Sequence, residues 1–145
     1  MMTHDEINLI TDWLYNFISN KNADYSKPDL SEAGWIPLPE LADWSVTNSV
    51  QSGADWFRKW FTLHPTEACV RYVLVFERAP EHLMVYINGV NVGSLEAGTI
   101  KPLEMDITER VALGENVLAM KLTSTTEKSG GKFARIYLKR ILCDT

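Results

Sequence analysis

The dipeptide Asn88-Gly89 is the feature that most constrains the fold of this chain. It separates two short apolar runs, residues 83–87 and residues 90–92. A two-residue type I′ turn needs positive φ at both central positions, which Asn and Gly tolerate better than other residues do. The sequence therefore predicts a tight β-hairpin at this point, and with it an antiparallel sheet.

Short apolar runs separated by turn residues continue on both sides of this hairpin. The further predicted strands are residues 58–63, 70–77, 103–107, 117–123 and 133–141. Residues 70–77 are apolar on both faces, which predicts a central strand, whereas residues 35–39 hold two prolines and fit an edge strand, because proline cannot donate to a ladder. Many short strands with regular turns indicate a β-sandwich or barrel rather than βαβ units.

The strand that begins at Trp56 alternates in character. Phe57 and its alternate neighbours face one side, and Trp56 and Arg58 face the other. A buried guanidinium needs a carboxylate or carbonyl partner, so Arg58 is expected to clamp the sheet to a loop. The core of the predicted sandwich is expected to contain Phe57, Phe61, Leu74, Phe76, Val85, Ile87, Leu118 and Met120.

Residues 1–22 show a different period. Apolar residues recur three or four positions apart, at Ile7, Ile10, Trp13, Leu14, Phe17 and Ile18. Thr3 and Glu6 fit a capping box. The sequence predicts one amphipathic N-terminal α-helix over residues 1–22, followed by the sandwich over residues 23–145, in a single domain. The apolar face of that helix either packs on the sandwich or pairs with a second copy or a partner protein.

Composition excludes several classes of function. The 145 residues carry a net charge of −5, which argues against a general nucleic-acid binder. One basic stretch, residues 128–140, is expected to be a solvated strand face rather than an anion site. Motifs of hydrolases, phosphate-binding loops and zinc proteases are absent, and the three histidines are isolated, so no cofactor, metal site or catalytic residue is predicted.

The sequence also gives expectations about the cellular compartment. It shows no secretory signal and no apolar run of membrane-spanning length, so we expect a cytoplasmic protein without membrane contact, unless it is cut from a longer secreted parent. Cys69 and Cys143 lack a CxxC spacing or a nearby His, and are expected to be two idle thiols in a reducing compartment, with a disulfide as the alternative.

Four segments taken together resemble one family. They are Trp56-Phe57-Arg58-Lys59-Trp60-Phe61, Val85-Tyr86-Ile87-Asn88-Gly89, Met105-Asp106-Ile107-Thr108 and Gly114-Glu115-Asn116-Val117-Leu118. In this order they resemble the sugar-binding jelly-roll domain at the N-terminus of family 2 glycoside hydrolases, over about residues 24–142. The resemblance implies an all-β, antiparallel two-sheet sandwich of the galactose-binding-like jelly-roll type. In that family the catalytic carboxylates sit on a separate barrel domain, so it also implies a non-catalytic chain.

The same resemblance suggests where a sugar would bind. In family 2 enzymes two jelly-roll loops reach the edge of the active site, and here they correspond to residues 43–55 and to the segment before residues 130–138. Asn48 and Glu127 fall where the family offers polar contacts to sugar, and Trp44 and Trp56 flank the first loop. Aromatic rings stack on the C–H face of a sugar ring while planar polar groups bind its hydroxyls. The predicted carbohydrate site is Trp44, Asn48, Asp55, Trp56 and Glu127.

The leading hypothesis is therefore a non-catalytic carbohydrate-binding or accessory module. One alternative is a protein–protein interaction module that has lost sugar binding, dimeric through the N-terminal helix or bound to another protein. Another is an inert part of a larger glycosidase or of a sialate O-acetylesterase, because Trp56-Phe57-Arg58-Lys59 also resembles a segment of the β-sandwich of the esterase.

Overall fold

A computed structural model shows antiparallel β-strands in two sheets. The structure describes residues 4–20, 22–41, 53–66, 69–77, 82–95, 102–123 and 133–143. The strands in this part of the chain are β1 (His4–Asn8), β2 (Thr11–Ile18), β3 (Ile36–Glu40), β4 (Ala54–Leu63), β5 (Val70–Phe76), β6 (His82–Ile87), β7 (Val90–Leu95), β8 (Leu103–Asp106), β9 (Gly114–Thr123) and β10 (Ile136–Leu142).

The two sheets pack face to face. The four-stranded sheet has the order β1-β10-β5-β8, and the six-stranded sheet has the order β3-β2-β4-β9-β6-β7. The predicted all-β sandwich is confirmed, with β5 inside its sheet and the proline-bearing β3 at an edge as expected. All eight predicted core side chains are buried in one apolar cluster between the sheets.

The Asn88-Gly89 hairpin is also confirmed. Asn88 and Gly89 have φ values of 51° and 86°, and they join β6 to β7. The Asn88 side chain then does more than form the turn. Its Nδ2 donates to Arg110 O and to Asn116 Oδ1, both at 2.9 Å, and its Oδ1 accepts from Val117 N at 3.0 Å.

The predicted N-terminal helix is wrong. Residues 1–22 contribute β1 at the edge of one sheet and β2 inside the other, and no helix occurs in the described part of the chain. The apolar residues of β2 project from both faces of the strand: Trp13 lies in the main core, while Leu14 and Ile18 pack on the outer cluster described below. A strand that is apolar on both faces mimics a helical period, and non-local pairing overrides the local signal.

Of the capping box predicted from Thr3 and Glu6, only Glu6 lies in the described part of the chain. Glu6 does not cap a helix; it accepts from Arg135 Nη2 at 2.7 Å across the edge of the four-stranded sheet. Thr3 lies outside the described residues. The described part of residues 1–22 forms strands, and pairing with a second copy or with a partner protein stays a prediction.

The cysteine prediction is also wrong. Cys69 and Cys143 form a disulfide, with their Cα atoms 5.2 Å apart. The register of β10 on β5 is the reason: Leu142 pairs with Val70, so the next residue outward on each strand meets the other. The Cys143 amide also donates to Cys69 O at 2.9 Å. A sequence separation of 74 residues hides this pairing from any local pattern.

Residues 22–35 lie across the outer face of the six-stranded sheet and bury a second apolar cluster there. Its buried members are Trp35, Ala54, Trp56 and Ala119. Arg58 is completely buried beneath this segment, donating from Nε to Glu32 Oε2 and from Nη1 to Tyr25 O, both at 2.8 Å. The predicted sheet-to-loop clamp at Arg58 is thereby confirmed.

The basic stretch near the C-terminus is a solvated strand face where it is described. Arg135 pairs with Glu6 and Glu77, Lys139 lies 3.1 Å from Glu104, and Arg140 lies 3.1 Å from Asp5. Each of these cations therefore has a carboxylate partner, which agrees with the expected strand face rather than an anion site. Lys128 and Lys132 lie outside the described residues.

Candidate functional site

The bases of the two predicted binding loops meet at one end of the sandwich. The first loop leads into β4, and Asp55 near the start of β4 pairs with Leu122 near the end of β9, where the second loop departs. The second loop returns at Phe133, whose ring lies edge-on to Phe57 with centroids 5.3 Å apart. This contact fixes the return of one loop against the exit of the other. The fold thus brings together the bases of two loops that lie far apart in the sequence.

Gly53 sets the entry of the chain into β4. Its φ is +141°, a value that residues with a side chain rarely adopt. A Cβ atom at this position would lie 2.5 Å from Ile18 O and 2.8 Å from Phe17 Cζ. The backbone at Gly53, where the first loop ends, therefore lies in direct contact with the end of β2.

Asp55 is half-buried at this end, on the core-facing side of β4. It shares that side with Phe57, two residues along the strand. Tyr15 donates from its hydroxyl to Asp55 Oδ1 at 2.5 Å, and the Tyr15 ring packs on Phe57 with centroids 5.3 Å apart. Burial raises the pKa of the Asp55 carboxyl above its ordinary value, and the hydrogen bond from Tyr15 offsets part of that rise.

The sequence did not single out Tyr15, because residues 1–22 were interpreted as a helix. Read with a period of two, residues 11–18 place Trp13, Tyr15 and Phe17 on one face. Tyr15 pairs with Phe57 and Phe17 with Asp55 across the β2–β4 ladder. Only this register identifies the tyrosine as the partner of the carboxylate.

Trp56 does not reach the surface, contrary to the expectation for a ring beside the first loop. Its side chain is 1% exposed within the outer cluster. The indole stacks on Tyr86 with centroids 5.6 Å apart and lies 6.1 Å from the ring of Tyr25. Trp56 is therefore a packing residue under residues 22–35, and no face of its ring is free to stack on a sugar.

The other three predicted site residues, Trp44, Asn48 and Glu127, lie outside the described residues. Their part in a carbohydrate site stays a prediction. Among the described residues, no group of three or more His, Cys, Asp or Glu side chains is placed to hold a metal ion. No helix in the same part of the chain has the length and apolar character needed to cross a membrane.

A second polar region lies on the four-stranded sheet. An open depression of about 410 Å³ is lined by Arg71, Asp106, Thr108, Glu109 and Arg110. Arg71 pairs with Asp106, whose Oδ1 accepts from the Thr108 amide at 3.0 Å, as expected for a turn-capping Asp. The two arginines and two acids of this lining balance in charge, so the depression lacks the excess of one sign that would favour an ionic ligand.

Comparison with known proteins relates the chain to β-glucuronidases. No family model matches it. A putative β-glucuronidase of Formosa agariphila is 26% identical over 137 residues, which cover 86% of this chain and 13% of that protein. A β-glucuronidase of the same bacterium is 34% identical over 73 residues, which cover 50% of this chain and 7% of that protein.

Solved structures show the same relationship at the level of the fold. A Bacteroides uniformis β-glucuronidase superposes with a TM-score of 0.76 at 19% identity, covering 94% of this chain and 18% of that chain. A glycosyl hydrolase family 2 member from Bacteroides cellulosilyticus superposes with a TM-score of 0.72 at 19% identity, covering 93% and 20%. The chain thus resembles the sugar-binding jelly-roll domain of family 2 glycoside hydrolases, and it spans about a fifth or less of the length of each of these proteins.

Proposed function

We propose that this chain, given its resemblance to the sugar-binding jelly roll of family 2 glycoside hydrolases, is a non-catalytic carbohydrate-binding or accessory module. One observation carries the proposal. The bases of two long loops are held together at one end of a rigid sandwich, with the half-buried carboxylate of Asp55 between them. Loops on a rigid β-scaffold commonly carry binding function.

The similarity to glycosidases supports the choice of ligand class. The relatives are named as β-glucuronidases, and this chain matches only a small share of their length. We therefore propose that a sugar is the ligand, and that its hydrolysis is not carried out by this chain. Trp44 is the proposed stacking ring, because the burial of Trp56 removes the other candidate beside the first loop. Asn48 and Glu127 remain the proposed polar contacts.

The test is a titration with a panel of neutral and acidic methyl glycosides, in which the amide chemical shifts of the protein are monitored. We expect shifts confined to residues 42–56 and 123–133, with weak affinity, because an open loop surface buries little of a small sugar. Replacing Trp44 by Ala should weaken binding by about 1–3 kcal/mol, by analogy with aromatic anchors at interfaces. Trp60 offers a matched control, since its side chain is 37% exposed but its indole donates to Glu32 on the outer face.

The result also separates the alternatives. Shifts at another surface would move the site, and the absence of shifts at millimolar sugar would leave the interaction-module hypothesis ahead. Release of product from a chromogenic glucuronide or galactoside by the purified chain would contradict its non-catalytic role.

The disulfide supports a further part of the proposal, that the chain works in an oxidising compartment. Disulfides persist outside the cell and in the periplasm but are rare in the cytosol. The Cys69–Cys143 bond supports this proposal over the expectation of a cytoplasmic protein, which rested on the lack of a visible secretory signal.

A further inference from the structure

Within the described part of the chain, one oxygen of the Asp55 carboxylate is left without a hydrogen-bond donor. Oδ1 accepts from Tyr15, and no donor of the described residues contacts Oδ2. The group also forms no ion pair in this part of the chain, unlike Asp5, Asp24 and Asp106, each of which lies within 4 Å of a cation.

The surroundings of Asp55 explain why no described cation neutralises it. Its cross-strand neighbours are Phe17 on β2 and Leu122 on β9, both apolar. The nearest cations along these strands, Arg58 and Lys121, occupy positions of the opposite face, where Arg58 is held by Glu32. Burial raises the pKa of Asp55, and no cation of the described residues lowers it. A half-buried carboxylate therefore presents negative charge at the end of the sandwich.

Such a group discriminates between ligands by charge. A carboxylate is acceptor-only, so its free oxygen binds the hydroxyl donors of a sugar, and a bond to a charged acceptor is stronger than a bond between neutral groups. It repels a second carboxylate that approaches without a cation between them.

We propose that Asp55, oriented by Tyr15, is a hydroxyl-recognition subsite at the loop end, and that its charge selects a neutral sugar over a uronate at this position. This inference rests on the proposed carbohydrate-binding function. The inference goes beyond that function because it names the contact atom, Asp55 Oδ2, and the charge class of the sugar ring that binds there.

The test compares the wild type with Asp55→Asn. The Asn side chain has nearly the same shape and keeps an oxygen to accept from Tyr15, but it loses the charge. Methyl β-glucoside and the methyl glycoside of glucuronic acid are titrated separately, and the amide chemical shifts of residues 53–57 are monitored. We expect the wild type to prefer the neutral glycoside. Asp55→Asn should weaken binding of the neutral glycoside about tenfold, equivalent to about 1.4 kcal/mol. The same variant should bind the uronate as tightly as the wild type does, or more tightly.

Two further variants control for general effects. Asp29→Asn removes the same charge from an exposed position and should leave both affinities unchanged. Tyr15→Phe retains the Asp55 charge and should retain the preference for the neutral sugar, even if both affinities fall because the carboxylate is less well oriented. The fold of each variant is checked by its amide spectrum without ligand.

The outcomes distinguish this inference from the proposed function. If no sugar binds the wild type, both fail. If sugars bind and Asp55→Asn behaves as the wild type, or weakens neutral and acidic sugars equally, only the subsite inference is wrong. A wild type that binds the uronate more tightly than the neutral glycoside would also overturn it.

Discussion

Arg58 and Glu32 are 26 residues apart in the sequence, yet the Arg58 Nε lies 2.8 Å from Glu32 Oε2. The same carboxylate oxygen accepts from the indole of Trp60 at 2.8 Å. Glu32 therefore joins two neighbouring residues of one face of β4 to the segment that covers them. This contact holds residues 22–35 on the six-stranded sheet and keeps the outer cluster around Trp56 closed.

Replacing Arg58 by Ala should lower the free energy of unfolding by about 3 kcal/mol. The loss arises because Tyr25 O loses its donor and Glu32 loses its cation, keeping only the hydrogen bond from the Trp60 indole. Glu32 keeps 23% of its side chain exposed, which limits the effect. Chemical denaturation of the wild type and the variant measures this change in the free energy of unfolding. Arg71→Ala is the control, since that ion pair is exposed and is expected to contribute less than about 1 kcal/mol. Equal losses from the two variants would contradict the clamp.

The amide of Asn116 is completely buried, and both of its polar atoms are used. Oδ1 accepts from Ala112 N at 2.8 Å, and Nδ2 donates to Ala112 O at 2.9 Å. We expect Asn116→Ala to cost about 2 kcal/mol, because it leaves the amide and carbonyl of Ala112 without their side-chain partner and removes one of the acceptors of Asn88 Nδ2. Thermal unfolding checks this against Asn22→Ala, an exposed position expected to change stability by no more than about 0.5 kcal/mol.

The Cys69–Cys143 bond closes a long loop, with a sequence separation of 74 residues. In the chain-entropy account such a crosslink contributes about 4 kcal/mol, because it restricts the unfolded chain. In the presence of reductant, the stability of the wild type should fall toward that of the Cys69→Ser/Cys143→Ser double variant. Reductant should leave the double variant unchanged. Two free thiols titrated in the unreduced, denatured protein would show that the bond is absent.

The pKa of Asp55 is raised by burial, so the folded state holds this proton more tightly than the unfolded chain does. Stability contributed by the protonated group is therefore lost as the pH rises from about the ordinary value of 3.8 through the raised folded pKa. Relative to the wild type, Asp55→Asn should become more stable across this window and then level off. Denaturation curves at a series of pH values measure the difference.

Asp106 provides a control of opposite sign. Hydrogen bonds from Thr108 lower the pKa of Asp106, and the interactions with Arg71 add to this. Its contribution is present above the ordinary value of 3.8 and is lost as the pH falls through the lowered folded pKa. Asp106→Asn should therefore lose stability relative to the wild type at neutral pH and recover it in acid. If the stabilities of Asp55→Asn and Asp106→Asn relative to the wild type changed with pH in the same direction, the opposite pKa shifts assigned to the two carboxyls would be contradicted.

The sequence by itself determined the features that depend on neighbouring residues. Positive φ at Asn88 and Gly89 fixes a hairpin wherever the chain folds, and strict alternation along β4 places Phe57 in the core and Arg58 under a covering segment. A buried guanidinium also dictates the kind of partner it must find. These predictions succeeded because backbone sterics and side-chain alternation are local properties.

Only the tertiary structure decided what depends on distant pairing. The apolar residues of β2 fit a helix until β3 and β4 are placed on either side of it, and the cysteines look unrelated until β10 aligns with β5. Trp56 borders a loop in sequence but lies under residues 22–35 in space. Asp55 acquires Tyr15 as its partner only through the register of β2 on β4. Burial and pairing across a sheet are set by residues far along the chain, and they decided which predicted site residues can meet a ligand.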